Sequence, residues 1–181
     1  MIRVIGGQVK GRKLFGPAGQ RFRPVTGIVK EFIFSYLQFQ IKNAVVLDLF
    51  AGSGAVGIEA LSRGALSVYF IDRSKYSINI LKKNLEICNF TQKGSIIQGN
   101  VFSQLPRLGE KGHTFDLIFA DPPLHHNLRA KIVTYVDTYG LLENKGVLIV
   151  KHKKMDYDEG KHTIEMVKQK NFGINVLSVY I

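Results

Sequence analysis

The chain has 181 residues, 45% hydrophobic and 22% charged, with a formal net charge of +11 and a single cysteine, Cys88. That length suits one domain with a real core, and the absence of low-complexity tracts excludes a disordered chain. A lone cysteine excludes an internal disulfide framework, no apolar run reaches the roughly 18–20 residues of a membrane span, and MIRVIGGQVKGRK lacks the apolar stretch of a secretory signal. The expectation is a soluble cytoplasmic protein without a membrane partner.

The charge is unevenly spread. Residues 1–42 carry Arg3, Lys10, Arg12, Lys13, Arg21, Arg23, Lys30 and Lys42 against one acid, Glu31. A basic block beside a near-balanced body points to a phosphate-binding face, with a solvated arm as the plainer reading. The first 25 residues are rich in Gly, Arg and Pro, with short strand-like pieces at RVIGG and RKLF. From Thr26, a plausible N-cap, Val29, Ile33, Leu37 and Ile41 share one helical face. From Ala44 strands and helices alternate: AVVLDL, helix VGIEALSRG, SVYFID, helix KYSINILKKNLEIC, then strands SIIQGN, FDLIFAD and GVLIVK. A further helix is expected between Asn127 and Tyr139. Continuous apolar strands alternating with helices predict a parallel sheet covered on both faces. TIEMVKQKNF and NVLSVYI flank a glycine and predict an antiparallel pair. The sum is an α/β, Rossmann-like, seven-stranded mixed sheet closed by a C-terminal hairpin. Residues 1–42 form a basic extension with a leading helix, and 43–181 the main unit.

LDLFAGSGAVG contains Gly52-x-Gly54-x-x-Gly57 between a strand and a helix. Alone, that spacing also fits a dinucleotide. Asp72, at the next strand's tip, suits ribose hydroxyls in either case. Asp48 separates the two: a carboxylate ending the first strand opposes a pyrophosphate but suits the ammonium and sulfonium of S-adenosylmethionine. Asn100, after the third strand, offers an amide to an adenine edge. The fourth strand ends in Asp121-Pro122-Pro123 on the same sheet edge. A base amine is a poor nucleophile because its lone pair is delocalised into the ring. A carboxylate that accepts its N–H, beside a backbone stiffened by proline, turns that lone pair toward a methyl donor.

The stretches RVIGGQVKGRKL, RPVTGIVKE, LDLFAGSGAVGIEALSRGA, FADPP and FGINVLSVYI run nearly end to end through the chain. On them the sequence resembles the RsmD-type 16S ribosomal RNA guanine-N2 methyltransferases. The resemblance implies S-adenosylmethionine as donor and ribosomal RNA or the small subunit as partner. It implies a donor site of Asp48, Phe50, Gly52, Ser53, Gly54, Asp72, Arg73, Asn100 and Val101, and a catalytic motif of Asp121, Pro122, Pro123 and Leu124. RNA contacts then fall to Arg3, Lys10, Arg12, Lys13, Arg21 and Arg23. The chain departs from the family pattern at Leu124, where the family usually has an aromatic residue that stacks on the target base. It departs also at Gly27-Ile28 in place of an Asp-Arg pair, at Asn100 in place of an acid, and at Lys151 where an acid often ends the fifth strand.

Other residues carry less. His125 and His126 are adjacent and share no face, and no carboxylate cluster has ligand spacing, so no metal is expected. Cys88 reads as a core thiol, and Phe32, Phe34 and Tyr36 as core rather than base-stacking residues. Lys151 to Lys154 read equally as phosphate contacts or as a solvated run. A monomeric RNA methyltransferase is the leading expectation. An N-methyltransferase for protein or small-molecule amines and a non-catalytic RNA-binding relative are the alternatives.

Overall fold

The computed structural model describes residues 2–16, 26–123, 128–154 and 162–181. Two short strands, β1 (Ile2–Arg3) and β2 (Lys13–Leu14), pair antiparallel and precede helix α1 (Gly27–Tyr36). Then come β3 (Val45–Leu49), α2 (Ala55–Ser62), β4 (Ser67–Asp72), α3 (Lys75–Ile87) and β5 (Gly94–Gln98). The chain continues through α4 (Val101–Glu110), β6 (Phe115–Ala120), α5 (Arg129–Thr138) and β7 (Leu142–Lys153), and closes with β8 (Met166–Phe172) and β9 (Asn175–Tyr180). The seven-stranded sheet has the order β5-β4-β3-β6-β7-β9-β8. Its first five strands are parallel, and β9 pairs antiparallel with both β7 and β8. The order reverses between β3 and β6, so a crevice opens where these strands end.

Two apolar layers flank the sheet. One joins α1, α2, α3, the β1–β2 pair and one sheet face; its buried members include Ile2, Val4, Leu14, Ile33, Phe34, Val56, Ile58, Phe70 and Leu81. The other joins α4 and α5 to the opposite face through Leu105, Leu108, Ile132, Val133 and Val136. The basic extension therefore shares a core with the sheet. Glu59, fully buried on α2, ties it down: it accepts from the Ile5 N–H at 2.8 Å and pairs with Lys30 at 3.3 Å and Arg63 at 2.9 Å. Lys30 also donates to the Arg3 carbonyl. Burial pushes the Lys30 ammonium below its usual range, and Glu59 opposes that shift.

Two elements differ from expectation. Helix α1 stops at Tyr36, short of Ile41; Leu37 and Ile41 remain buried, but through turns around Gln38–Gln40. The apolar spacing recorded burial and not helical backbone. Helix α4 was not among the expected elements, and Pro106 lies inside it. Its buried residues Val101, Leu105 and Leu108 nonetheless keep helical spacing, and the Asn100 side chain caps it by accepting from the Phe102 N–H at 2.9 Å.

Candidate active site

The strand register builds the site. Leu49 of β3 pairs with Ile71 of β4 and with Ala120 of β6, and Ala120 pairs with Val150 of β7. The next residues along these strands are Phe50, Asp72, Asp121 and Lys151. They form one row across the carboxyl edge, and Lys151 is in turn paired with Leu177 of β9. Neighbouring strands lie about 4.8 Å apart, so the parallel fold gathers groups far apart in sequence.

The glycine-loop half of the row is held by backbone N–H groups. Asp72 accepts from the Gly52 N–H and the Ser74 N–H, each at 2.8 Å, and so braces the glycine loop against β4. Asp48 lies deeper, 2% exposed, and accepts from the Gly57 N–H at 2.9 Å at the start of α2. Burial drives its carboxyl well above the usual range; the Gly57 N–H opposes this, and the charges of Asp121 and Asp72 add to it. Gly54 holds φ +75°, and Gly57 leaves no room for a Cβ, which would stand 2.2 Å from the Phe70 ring. Thus α2 packs directly on β4, and its first turn closes on the loop. Ser53 is buried, with its carbonyl taking the Asn84 Nδ2 at 2.8 Å. Arg73 is exposed just past Asp72, and Val101 is buried in the first turn of α4. Asn100 is exposed, and its oxygen is engaged by the α4 cap.

Phe50 has φ +59°, a left-handed backbone that a bulky residue rarely adopts. The strain turns its ring toward Phe102, edge-on at 6.3 Å, so an aromatic wall stands beside Asn100 and Val101. Of the three carboxylates on this short stretch of sheet edge, Asp72 and Asp121 both bear on the buried Asp48. That donor set fits a cationic ligand with ribose hydroxyls and an aromatic base, and disfavours a pyrophosphate.

On the β6–β7 half the Asp121 N–H donates to the Leu49 carbonyl at 3.4 Å, carrying the β3–β6 ladder one residue past the strand. Asp121 Oδ1 takes the Lys151 Nζ at 2.7 Å. Burial raises the Asp121 carboxyl from its usual range, and Lys151 pulls against it. Pro122 is buried and Pro123 half-buried behind it. Leu124, His125 and His126 lie outside the described residues. The reading of Lys151 to Lys154 as one solvated or phosphate-facing run does not hold for its first half. Lys151 and His152 are buried, because β7 lies inside the sheet to its last residues.

The basic arm presents Arg3, Lys10, Arg12 and Lys13 to solvent; Arg21 and Arg23 lie outside the described residues. It is clamped along α2, where Gln8 and Val9 donate to the Ser62 carbonyl and hydroxyl. Farther on, Phe15 exchanges two hydrogen bonds with Asn84, at 2.8 and 2.9 Å. Because Asn84 also holds the Ser53 carbonyl, one fully buried amide joins the arm to the glycine loop. Asn84 was missed by sequence reasoning, and so was Lys151 as a partner of Asp121. Its signal was a cation directly after an apolar strand, in step with the aspartate of the preceding one. Cys88 is buried, which raises its thiol, as a core residue requires. Among the described residues no group of three or more His, Cys, Asp or Glu is placed to hold a metal, and no helix is long and apolar enough to cross a membrane.

The family model described as Conserved hypothetical protein 95 matches residues 2–181. Ribosomal RNA small subunit methyltransferase D of Haemophilus influenzae is 33% identical over 183 residues, covering 99% of this chain and 93% of that protein. The chain belongs to the RsmD methyltransferase family. The RsmD protein of Escherichia coli K12 is 36% identical over 149 residues, 82% of this chain and 73% of its own. Among solved structures, the E. coli chain named for a methyltransferase, yhhF, superposes with a TM-score of 0.85 at 31% identity, covering 99% of this chain and 96% of that one. The structure of SMU.776, solved with SAH, shares only 14% identity at a TM-score of 0.67, covering 83% of this chain and 48% of that one, and attests the fold alone.

Proposed function

We propose that this RsmD-family enzyme methylates the N2 amine of a guanine in small-subunit ribosomal RNA. The observation that carries the reading is the row on the sheet edge. It sets Asp121, a hydrogen-bond acceptor for an amine, beside the carboxylates Asp48 and Asp72 and the glycine loop. S-adenosylmethionine supplies an electrophilic methyl group on a sulfonium. Asp72 would hold the ribose hydroxyls, and the glycine loop with Asp48 would receive the cationic end of the donor. The Phe50–Phe102 wall and the Asn100–Val101 turn would flank the base of the donor. Asp121 accepts one N–H of the target amine, which turns the nitrogen lone pair toward the methyl. Once that nitrogen had taken the methyl group, Asp121 or water would take the proton it sheds. Pro122 and Pro123 fix the backbone at that point, so no reorganisation is needed as charge moves. Arg3, Lys10, Arg12 and Lys13, with Arg21 and Arg23, neutralise RNA phosphates, giving affinity that falls with salt. The target guanine must leave its stack to reach Asp121. The groups assigned all lie on one chain, so a monomer suffices, and the place of action is the cytoplasm.

The test is methyl transfer from labelled S-adenosylmethionine to unmodified ribosomal RNA and to small subunits, followed by nucleoside analysis. N2-methylguanosine, absent with Asp121→Ala, is the expected product. A different methylated nucleoside, or none while donor binding is intact, would overturn the assignment.

A further inference from the structure

Lys151 closes the row on its acceptor side. Its ammonium lies 2.7 Å from Asp121 Oδ1, with the lysine side chain 9% exposed and that of Asp121 20% exposed. No described residue hydrogen-bonds to Asp121 Oδ2. A buried lysine at a strand tip is costly unless its charge is matched, and Asp121 supplies the match. Among the described residues, the other acids of this edge are Asp48 on β3, on which the charges of Asp121 and Asp72 bear, and Asp72 on β4, while the β9 neighbour in the row is the uncharged Leu177. Lys151 is thus the cation paired with the Asp121 member of that group of acids. His152, next along β7, points to the other face and bonds Ser178.

We propose that Lys151 is the positioning residue of the acceptor site: its ammonium pins Asp121 Oδ1 and leaves Oδ2 as the oxygen that takes the target amine. The inference rests on the RNA methyltransferase reading above and deepens it. Two consequences follow from the geometry. A carboxylate fixed at one oxygen presents the other at one angle, so the ammonium does for the side chain what the prolines do for the backbone. The ion pair also neutralises Asp121, so its pull on a sulfonium is weak. Holding the donor is then left to Asp48 and Asp72, and Asp121 serves the acceptor alone. Burial already favours protonated Asp121, and Lys151 is the group that resists this. Without it, the carboxylate must gain its proton at a higher pH.

The experiment compares wild type, Lys151→Met and Lys151→Arg by the pH profile of single-turnover methyl transfer to unmodified small subunits. Donor affinity by calorimetry and melting temperature are measured alongside. Lys151→Met is expected to slow transfer by about tenfold or more, to move the acid limb to higher pH, and to leave donor affinity nearly unchanged. Lys151→Arg should return the limb toward its wild-type position. A slower enzyme with an unmoved limb, not rescued by arginine, would reduce Lys151 to a structural residue and overturn the proposal. A carboxyl-carbon NMR titration of Asp121 in the same variants needs no substrate. If wild type methylates no RNA yet Asp121 titrates higher in Lys151→Met, the RNA reading fails and the ion pair stands. If wild type methylates RNA and Asp121 titrates unchanged, the reverse holds. Should Lys151→Met fail to fold, Lys151→Gln takes its place under the same criteria.

Discussion

The two halves of the sheet edge use carboxylates in opposite ways. On the donor half, Asp48 and Asp72 face backbone N–H groups of the glycine loop and the first turn of α2. On the acceptor half, Asp121 faces a side-chain ammonium two strands beyond β3. A carboxylate wired to backbone is part of the fold, and changing it disturbs the loop that it shapes. A carboxylate wired to a lysine can change with less effect on the chain path, and the effect falls on the reaction. Loop shape and catalysis should therefore separate along the row.

The sharpest way to break that separation is Asp121→Ala. Transfer to RNA should fall by roughly 10²–10⁴ in single-turnover assays, with donor affinity by calorimetry close to wild type. Comparable loss of donor binding would place Asp121 in the donor half after all. Next in size is Gly57→Ala, where the added methyl would stand 2.2 Å from Phe70 and 2.8 Å from Val68. Overpacking there should cost about 1–3 kcal/mol, seen as a lower midpoint in urea. Donor binding should weaken too, since α2 must shift from the loop.

Asp48→Asn sharpens the contrast through pH. The native carboxyl of Asp48 is raised well above its unfolded value, chiefly by burial. Its contribution to stability is therefore complete below about pH 4 and is lost as pH rises through the native value. Removing the charge should raise the melting temperature of the ligand-free protein at pH 7, with the gain vanishing in acid. The same variant should bind S-adenosylmethionine more weakly. A variant that melts lower at pH 7 would show that the Gly57 contact, and not desolvation, governs this residue. The smallest effect per site belongs to the arm: Lys10→Ala, Arg12→Ala or Lys13→Ala should each reduce the salt slope of RNA binding by about 1 and leave donor affinity alone. Unequal loss among RNA sequences would mean base reading in place of phosphate contact.

Strand alternation, the glycine spacing and the acids at strand ends were legible because each is a local pattern. Apolar runs of five or six residues form buried strands wherever they lie, and GxGxxG shapes a turn from its own backbone freedom. Even the sheet edge that carries the site follows from right-handed parallel crossovers. Helix α4 was hidden because Pro106 and Gly109 weigh against a helix locally, while burial of Val101, Leu105 and Leu108 weighs for it only once the sheet exists.

The sequence by itself determined the fold class, the row of acids and the family, since these depend on spacing along the chain. Tertiary structure alone decided what each acid faces. Asp48 meets the Gly57 N–H, Asp72 the Gly52 N–H, and Asp121 the ammonium of Lys151, 30 residues away and one strand over. Partners of that kind are set by strand register and burial. A lysine that composition counts with the solvated charges becomes, at 7% exposure, the counter-ion of Asp121.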